Sequence, residues 1–210
     1  MCSQYEAPTN EQLQRAFGLI PTEPTQTELW PGYVGPLLRR TPLEAQSEED
    51  TQYEILAGVF GLLPSWAKDT KLSRYTYNAR SETVSEKPSF RDAWKRARHC
   101  IIPAAAIYEP DWRSGKASFA RISRTDGELM GIAGLWDRWI NPEGKEVHSY
   151  TMLTLNADNH SLMRNFHRPG EEKRMVVILP KGLYKDWLNA DAHLSQEFIR
   201  PYPAERLTVQ

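Results

Sequence analysis

The residue whose placement most suggests chemistry is Cys2, which directly follows Met1. Its side chain is small enough for the initiator methionine to be removed, and Cys2 would then carry a free α-amine beside its thiol. In unstructured peptides the amine has a pKa of about 8 and the thiol of about 8.5, so both are partly reactive at neutral pH. Such a 1,2-aminothiol condenses with an aldehyde through its amine, and its sulfur then closes a five-membered ring on the same carbon.

Two other interpretations of Cys2 remain open at this point. The same group could act as an N-terminal nucleophile in amide hydrolysis, or the cysteine could be incidental. Glu109 and His167 are candidate acid/base partners, because Glu109 follows an apolar run and precedes a proline, and His167 stands beside Arg168 and Pro169. Either residue alone is equally explained as structural or merely exposed.

Patterns typical of metal and cofactor sites are missing from the sequence. There is no CxxC, HExxH, GxGxxG or Walker-type loop, and the spacing of His160 and His167 is a weak metal signal. Cys100 opens an apolar run and is predicted to pack in the core. We therefore expect neither a metal ion nor an organic cofactor.

Basic residues are concentrated between positions 68 and 100, which hold nine lysines and arginines against four acids. Three aromatic residues, Trp66, Tyr75 and Tyr77, lie in or next to this segment. Alternating cations and aromatic rings are typical of a groove that follows a phosphate backbone and stacks bases. The alternative is a basic surface whose aromatic rings anchor it to the core.

The elements that must position these residues are short and mostly extended. Strands are predicted at 53–63, 100–108, 118–124, 129–136, 150–156 and 175–179, with a further short strand within 30–40. Helices are predicted at 11–17 (with Thr9 or Asn10 as N-cap), 89–98, 159–166 and 183–189. This rhythm indicates an α+β fold: a single domain, residues 1–210, with a barrel-like, mainly antiparallel β-sheet core flanked by short helices.

Composition limits the classes of function. The chain has 210 residues, 40% of them apolar, and a net charge of −1, so its overall field favours neither nucleic acid nor membrane. Two cysteines cannot build a disulfide framework, and no apolar run approaches the about 20 residues of a membrane span. The first residues do not read as a signal peptide, and the acidic segment 44–54 reads as a solvated loop. A cytoplasmic protein is predicted, nucleoid-associated if bacterial, without a membrane partner.

Several short motifs together resemble one family in order and spacing. They are Cys2 after Met1, Gly61-Leu62-Leu63-Pro64-Ser65-Trp66, Tyr77-Asn78-Ala79-Arg80-Ser81-Glu82-Thr83, Arg98-His99-Cys100-Ile101-Ile102-Pro103, Tyr108-Glu109, Ala133-Gly134-Leu135-Trp136, Thr154-Leu155-Asn156-Ala157, and His167 followed by Lys173-Arg174-Met175. The third run resembles the N-A-R-x-E-T signature of the SOS response-associated peptidase (SRAP) family. The resemblance covers residues 2 to about 190.

This resemblance implies a sensor and shield of abasic sites in single-stranded DNA, with lyase-type chemistry and no cofactor. In the family the N-terminal cysteine forms a thiazolidine with the ring-opened sugar, which assigns that role to Cys2. By the same match Asn78 would position the N-terminus and the sugar, and Glu109 would shuttle protons. His167 would assist ring opening and release; it is preferred to His160 because it lies nearer Arg174.

The resemblance also implies a set of DNA contacts. Arg80, Arg174 and Thr154 would contact the strand, while Pro36 and Trp66 would form an apolar edge against the bases. The partner would be single-stranded DNA containing abasic sites, bound by a monomer. The family usually begins Met-Cys-Gly-Arg, so Ser3 and Gln4 replace a flexible glycine and a phosphate-binding arginine.

Two rival functions use the same residues differently. A cysteine-dependent peptidase, acting on other peptides or only on its own N-terminus, would use Cys2 with Glu109 and His167. A non-covalent binder of single strands or modified bases would leave Cys2 idle. Peptide turnover without DNA would favour the first rival, and binding unaffected by Cys2→Ser, with a steep salt dependence, would favour the second.

Overall fold

The computed structural model describes residues 2–42 and 52–210. Most of the acidic segment predicted to be a loop, residues 44–51, lies outside them. Glu54, at the end of that segment, is in a strand rather than a loop: its carboxylate accepts a hydrogen bond from Nε of Arg39 at 2.9 Å across the strand pair.

The described residues form thirteen strands and four α-helices. The strands are β1 (Gln4–Glu6), β2 (Glu28–Leu29), β3 (Val34–Arg40), β4 (Tyr53–Phe60), β5 (Asn78–Arg80), β6 (His99–Ala104), β7 (Ala106–Asp111), β8 (Ser118–Arg124), β9 (Met130–Ile140), β10 (Glu146–Asn156), β11 (Arg174–Val176), β12 (Ile178–Leu179) and β13 (Leu207–Val209). The helices are α1 (Asn10–Phe17), α2 (Ser73–Thr76), α3 (Arg91–Lys95) and α4 (Tyr184–Asn189).

Five of these strands close into a barrel. β3 pairs with β4 and with β6, β6 pairs with β9, and β9 pairs with β10, all antiparallel. The ring is completed by β10 running parallel to β4. Closure leaves these strands without a free edge and buries a core inside. The predicted α+β fold, a single domain with a barrel-like and mainly antiparallel sheet, is confirmed.

A second, antiparallel sheet has the strand order β13-β8-β7-β1-β2. The chain passes from the barrel strand β6 into β7 of this sheet with only Ala105 between them. The prediction of one strand over residues 100–108 is therefore wrong in detail. The N–H of Ala105 bonds to the carbonyl of Glu6 at 2.7 Å, so the backbone leaves the barrel ladder there and joins β1.

A similar transfer divides the predicted strand over residues 175–179. β11 pairs with β10, whereas β12 pairs with β9. Val177 lies between them, with its N–H bonded to the carbonyl of Leu153 at 2.9 Å and its carbonyl to the N–H of Ala133 at 2.8 Å. One residue thus bonds to two neighbouring strands of the barrel.

Two predicted helices are shorter than their sequence pattern indicated. The helix at 89–98 is limited to α3, because Ala97 has a left-handed backbone with φ 48°. Of the helix at 159–166 only a 3-10 turn, Met163–Asn165, is present. There the ring nitrogen Nδ1 of His160 accepts the N–H of Met163 at 3.0 Å and competes with helical bonding.

The predicted helix near the N-terminus forms as α1. Thr9 is its N-cap, and it makes a capping box with Gln12: the Thr9 hydroxyl accepts the N–H of Gln12, and the Gln12 side chain accepts the N–H of Thr9. Such caps contribute about 1 kcal/mol. At the other end Gly18 adopts φ 70°, which ends the helix.

Gly61 ends β4 and sends the chain towards the segment that carries the aromatic residues. Its φ is 121°, and a Cβ there would lie 2.2 Å from the carbonyl oxygen of Ser73. Only glycine satisfies both the backbone angle and the close approach. This is why β4 stops at Phe60 rather than at residue 63 as predicted.

Candidate active site

The four residues predicted to carry the chemistry come from both sheets and one connecting loop. Cys2 precedes β1, and Glu109 lies on β7, the strand that pairs with β1. Asn78 begins β5, which runs parallel to β10 from the barrel. His167 follows a 3-10 turn, and its N–H bonds to the carbonyl of Pro110 at 2.9 Å. The site is therefore built where the second sheet meets the barrel.

Cys2 is held in place through its backbone. The side-chain amide of Asn78 donates a hydrogen bond to the Cys2 carbonyl at 2.7 Å, and the thiol donates a weak one to the carbonyl of Gln4 at 3.4 Å. Only 1% of Cys2 is exposed. Burial, and after it the negative charge of Glu109, raises the pKa of the Cys2 thiol well above its usual range. The sulfur is thus a neutral thiol at pH 7, close to a carboxylate.

Glu109 and His167 form a buried pair beside this cysteine. The imidazole Nε2 of His167 lies 2.9 Å from Oε2 of Glu109, and the two side chains are 5% and 1% exposed, respectively. His167 has a left-handed backbone with φ 64°, a conformation that costs a non-glycine residue about 1 kcal/mol or more. A carboxylate and an imidazole held in contact can relay a proton: one of them exchanges it with a reactant, and the other takes it up or resupplies it.

The two candidate histidines are clearly separated by the structure. Nε2 of His160 lies 2.7 Å from the carbonyl of Tyr202, and its Nδ1 accepts backbone N–H groups. His167, in contrast, contacts Glu109. The preference for His167 over His160, which rested on nearness to Arg174 in sequence, therefore agrees with the position of His167 at the Cys2 site.

Tyr77 is a site residue that the sequence reasoning did not place here. Its sequence context predicts a base-stacking aromatic, but in the structure Tyr77 is half-buried. Burial, and after it the neighbouring Cys2 sulfur and Glu109 carboxylate, raise the pKa of its phenol. Its ring packs edge-on against Phe60 at 5.8 Å. Its position next to Asn78 was the signal that could have found it.

Two of the predicted DNA-binding residues are accessible. Trp66 is 51% exposed. Arg80 is also on the surface, where it forms an ion pair with Glu172 at 2.8 Å. Tyr75, on α2 between them in sequence, is 81% exposed. Exposed aromatic and cationic side chains therefore lie on both sides of Asn78 in sequence, from Trp66 to Arg80.

The other three predicted DNA-binding residues lie in the interior. Pro36 is buried within the barrel strand β3, and Thr154 is 1% exposed. Arg174 is 2% exposed: it donates to the Thr154 carbonyl at 2.8 Å and bonds to the carboxylates of Glu82 and Glu172. Arg174 bonds to Glu172, the ion-pair partner of the exposed Arg80, and Thr154 pairs in register with Arg80, so both adjoin that residue. Direct contact of all three residues with DNA stays a prediction.

The contrast between Arg174 and Arg80 gives a testable expectation. Arg174→Met should lower the free energy of unfolding by about 2–4 kcal/mol, because it removes a buried cation from its hydrogen bonds. Arg80→Met removes an exposed ion pair to the same Glu172 and should cost less than about 1 kcal/mol. Urea unfolding of both variants measures this. An Arg174 variant of normal stability but poor DNA binding would instead support direct contact.

Gln4, the residue found where the family usually has arginine, is a pairing residue of β1. Its side chain donates to Glu28 on β2 at 3.0 Å. Its backbone pairs with Tyr108, the residue before Glu109. This position therefore helps to fix the start of β1, two residues after Cys2.

Among residues 2–42 and 52–210, no three His, Cys, Asp or Glu side chains are grouped so that they could hold a metal ion. In the same part of the chain, no helix combines the length and apolar character needed to cross a membrane.

The fold and site define a class of protein: a closed five-stranded barrel joined to a second sheet, with Cys2, the residue after Met1, at the junction. The sequence profile of the family described as "SOS response associated peptidase (SRAP)" matches residues 1–210. The chain belongs to this family.

Two curated relatives are similar to this chain in sequence. The chain is 39% identical over 150 residues to "Abasic site processing protein YoqW" of Bacillus subtilis, covering 70% of this chain and 63% of the relative. It is 28% identical over 196 residues to "Abasic site processing protein HMCES" of Pongo abelii, covering 77% and 53%. The chain thus spans less than two thirds of the length of these curated relatives.

A crystal structure of a Bordetella bronchiseptica protein is similar along the whole chain. The TM-score is 0.87 at 47% identity, over 99% of this chain and 98% of the other. A Bacteroides thetaiotaomicron structure, with a TM-score of 0.79 at 20% identity, shares the fold.

Proposed function

We propose that this protein processes abasic sites in single-stranded DNA by forming a covalent crosslink through Cys2. The observation that carries the proposal is the contact of Asn78 with the Cys2 backbone next to the buried Glu109–His167 pair. This arrangement offers a fixed N-terminus, a thiol and a proton relay. The printed names of the relatives, abasic site processing proteins, support the same substrate.

The chemistry follows from the groups present once hydrolysis has removed Met1. The free amine of Cys2 adds to the aldehyde carbon of the ring-opened sugar, and the resulting carbinolamine loses one water to give an imine. The thiol then adds across the C=N bond: a carbon–sulfur bond forms, and the thiol proton ends on nitrogen. The product is a thiazolidine. One water is released overall, and nothing is oxidised or reduced.

Each neighbouring residue has a role in these steps. Asn78 fixes the Cys2 backbone, so that amine and sulfur face the same carbon. Glu109 exchanges protons with the carbinolamine oxygen and the amine, which assists the departure of water. His167, in contact with Glu109, resupplies the proton and protonates the sugar ring oxygen during opening.

The order of the steps matches the protonation state of the sulfur. Because burial raises the pKa of the Cys2 thiol, the thiolate is scarce at neutral pH, and the amine is the first nucleophile. The sulfur then reacts with an electrophile to which it is already tethered, where proximity compensates for low thiolate content.

The DNA would lie across the exposed surface that leads to the site. Trp66 and Tyr75 offer rings on which bases can stack, and Arg80 offers a guanidinium for a phosphate. An abasic nucleotide has no base to unstack, so its sugar enters the site at low cost. Thr154 and Arg174 adjoin Arg80 from the interior and help to hold it in place.

The experiment combines the purified protein with a single-stranded oligonucleotide that carries one abasic site. We expect a heat-stable adduct whose mass equals the chain without Met1 plus the oligonucleotide minus one water. Undamaged DNA of the same sequence is the control. Absence of an adduct, or an adduct that retains Met1, would contradict the proposal.

A cysteine-dependent peptidase activity is the second candidate, favoured by the family description and by the same nucleophile. It would hydrolyse an amide, for example the Met1–Cys2 bond. A cysteine peptidase attacks as a thiolate, however, and the raised pKa of Cys2 disfavours that form. Release of products from peptide substrates without DNA would support this candidate over crosslinking.

A further inference from the structure

A basic cleft of about 370 Å³ lies apart from the residues that contact Cys2. It is formed by the segment after β4, the end of α3 and the second half of β9. Its walls carry the guanidinium groups of Arg96, Arg98 and Arg138, with Asp92 and Asp137 as the acids. Nothing in the proposed crosslinking chemistry uses these residues.

The acids of the cleft are already engaged. Asp137 pairs with Arg98 and accepts the backbone N–H of Arg138 at 2.7 Å. The Asp92 carboxylate lies 3.7 Å from Nε of Arg91, an arginine that does not line the cleft.

Arg138 makes an exposed ion pair with Glu146 at 3.2 Å, which solvent screens. Among the described residues Arg96 has no carboxylate within ion-pair distance, so the cleft keeps an excess of positive charge.

The arginines are close enough to repel each other. Burial lowers the pKa of Arg98; Asp137 opposes this, and the charges of Arg96 and Arg138 lower it further. An anion placed among the three groups would relieve the repulsion. Guanidinium groups bind phosphate oxygens in a bidentate manner, which suits them to a phosphodiester.

The cleft adjoins the exposed Trp66. Pro64 and Ser65 line it, and the next residue is Trp66. The segment is fixed on both sides: the N–H of Leu63 bonds to the Ser149 hydroxyl at 2.8 Å, and the indole N–H of Trp139 bonds to the Ala67 carbonyl at 2.7 Å. The position of Trp66 relative to the cleft is thus set by the barrel.

The cleft also lies a short distance from the Cys2 site along β10. Asp137 pairs with Ser149, and Met152, three residues further on, pairs with Asn78. Three residues of a strand extend about 10 Å. A DNA strand that passes from the site over Trp66 can therefore reach the cleft, since single-stranded sites cover about 4–16 nucleotides.

We propose that the cleft formed by Arg96, Arg98 and Arg138 binds the phosphate backbone of the strand beyond Trp66, as a second DNA subsite. The inference rests on the proposed function and extends it. The subsite would raise the affinity for longer strands and would take no part in bond formation at the abasic sugar.

The test uses the double variant Arg96→Ala/Arg138→Ala, which leaves the Arg98–Asp137 pair intact. Fluorescence anisotropy measures binding to an undamaged single-stranded dodecanucleotide, and competition measures binding to a tetranucleotide. We expect about a tenfold or greater loss of affinity for the dodecanucleotide and less than a twofold change for the tetranucleotide. The slope of log K against log salt should become shallower by about 0.7 for each phosphate contact removed.

Arg15→Ala/Arg206→Ala is the matched control, because both arginines are exposed and lie outside the cleft. An equal loss for both oligonucleotide lengths, an equal loss in the control, or no loss in the Arg96/Arg138 variant would overturn the subsite. Failure of the proposed function is seen separately, as a wild-type protein that forms no adduct with abasic DNA. Adduct formation with unchanged dodecanucleotide affinity in the variant would refute only the subsite.

Discussion

Cys2→Ala is expected to reduce the yield of heat-stable adduct with abasic single-stranded DNA to the background level. The variant keeps an α-amine after removal of Met1, so it can still form an imine. It cannot close the ring, and the imine hydrolyses on heating. Intramolecular closure of a well-placed group corresponds to an effective concentration of about 10⁵–10⁸ M, so loss of the sulfur removes most of the stability of the product.

A reducing agent separates this explanation from a misfolded protein. Borohydride converts the imine to a stable amine, so Cys2→Ala and Cys2→Ser should both be trapped on DNA when it is present. Cys100→Ala is the control for loss of a thiol elsewhere, because Cys100 is fully buried in the core. Heat-stable adduct from Cys2→Ala without reductant would show that another residue is the nucleophile.

The sequence predicted which residues come together at the site, but not how the two sheets bring them together. The motif order singled out Cys2, Asn78, Glu109 and His167, and the structure brings all four to the junction of the two sheets. Their chemical roles stay predictions until tested. The junction itself depends on pairings between residues more than 70 positions apart, such as Asn78 with Met152, and no local pattern encodes these.

Burial explains most of what the sequence did not provide. Arg174 resembles a surface cation in sequence, yet its neighbours Glu82 and Glu172 neutralise it inside the protein. The barrel-like sheet could be predicted because the strands alternate with turn residues at short intervals. The parallel pairing of β4 and β10 that closes the barrel could not be predicted, because it joins strands widely separated in sequence.

The helix predicted at 159–166 shows how a side chain can override a local pattern. His160 accepts backbone N–H groups of Leu162 and Met163, and it thereby replaces helical bonds with a turn. Phe166 is then extended and forms a bridge to Asp111 on β7. This bridge places His167 next to Glu109. The site therefore forms because the segment does not continue as the predicted helix.

Glu109→Gln is expected to slow crosslinking by a factor of about 10²–10⁴, the usual contribution of a general acid–base group. Glutamine keeps the shape of the side chain and can still contact His167, but it cannot exchange the proton that leaves with water. Single-turnover rates with saturating abasic DNA measure the effect. Asp111→Asn, which alters another carboxylate of β7, is the matched control and should change the rate less than threefold.

In contrast to its effect on crosslinking, Glu109→Gln should increase the reactivity of the Cys2 thiol. Burial is the main cause of the raised pKa of Cys2, and the charge of Glu109 adds to it, so removing that charge lowers the pKa. Alkylation of Cys2 by iodoacetamide, measured at fixed pH, should then be faster in Glu109→Gln than in the wild type. Slower crosslinking with faster alkylation identifies Glu109 as a proton carrier near the sulfur, whereas a parallel decrease in both would mean that the site has collapsed.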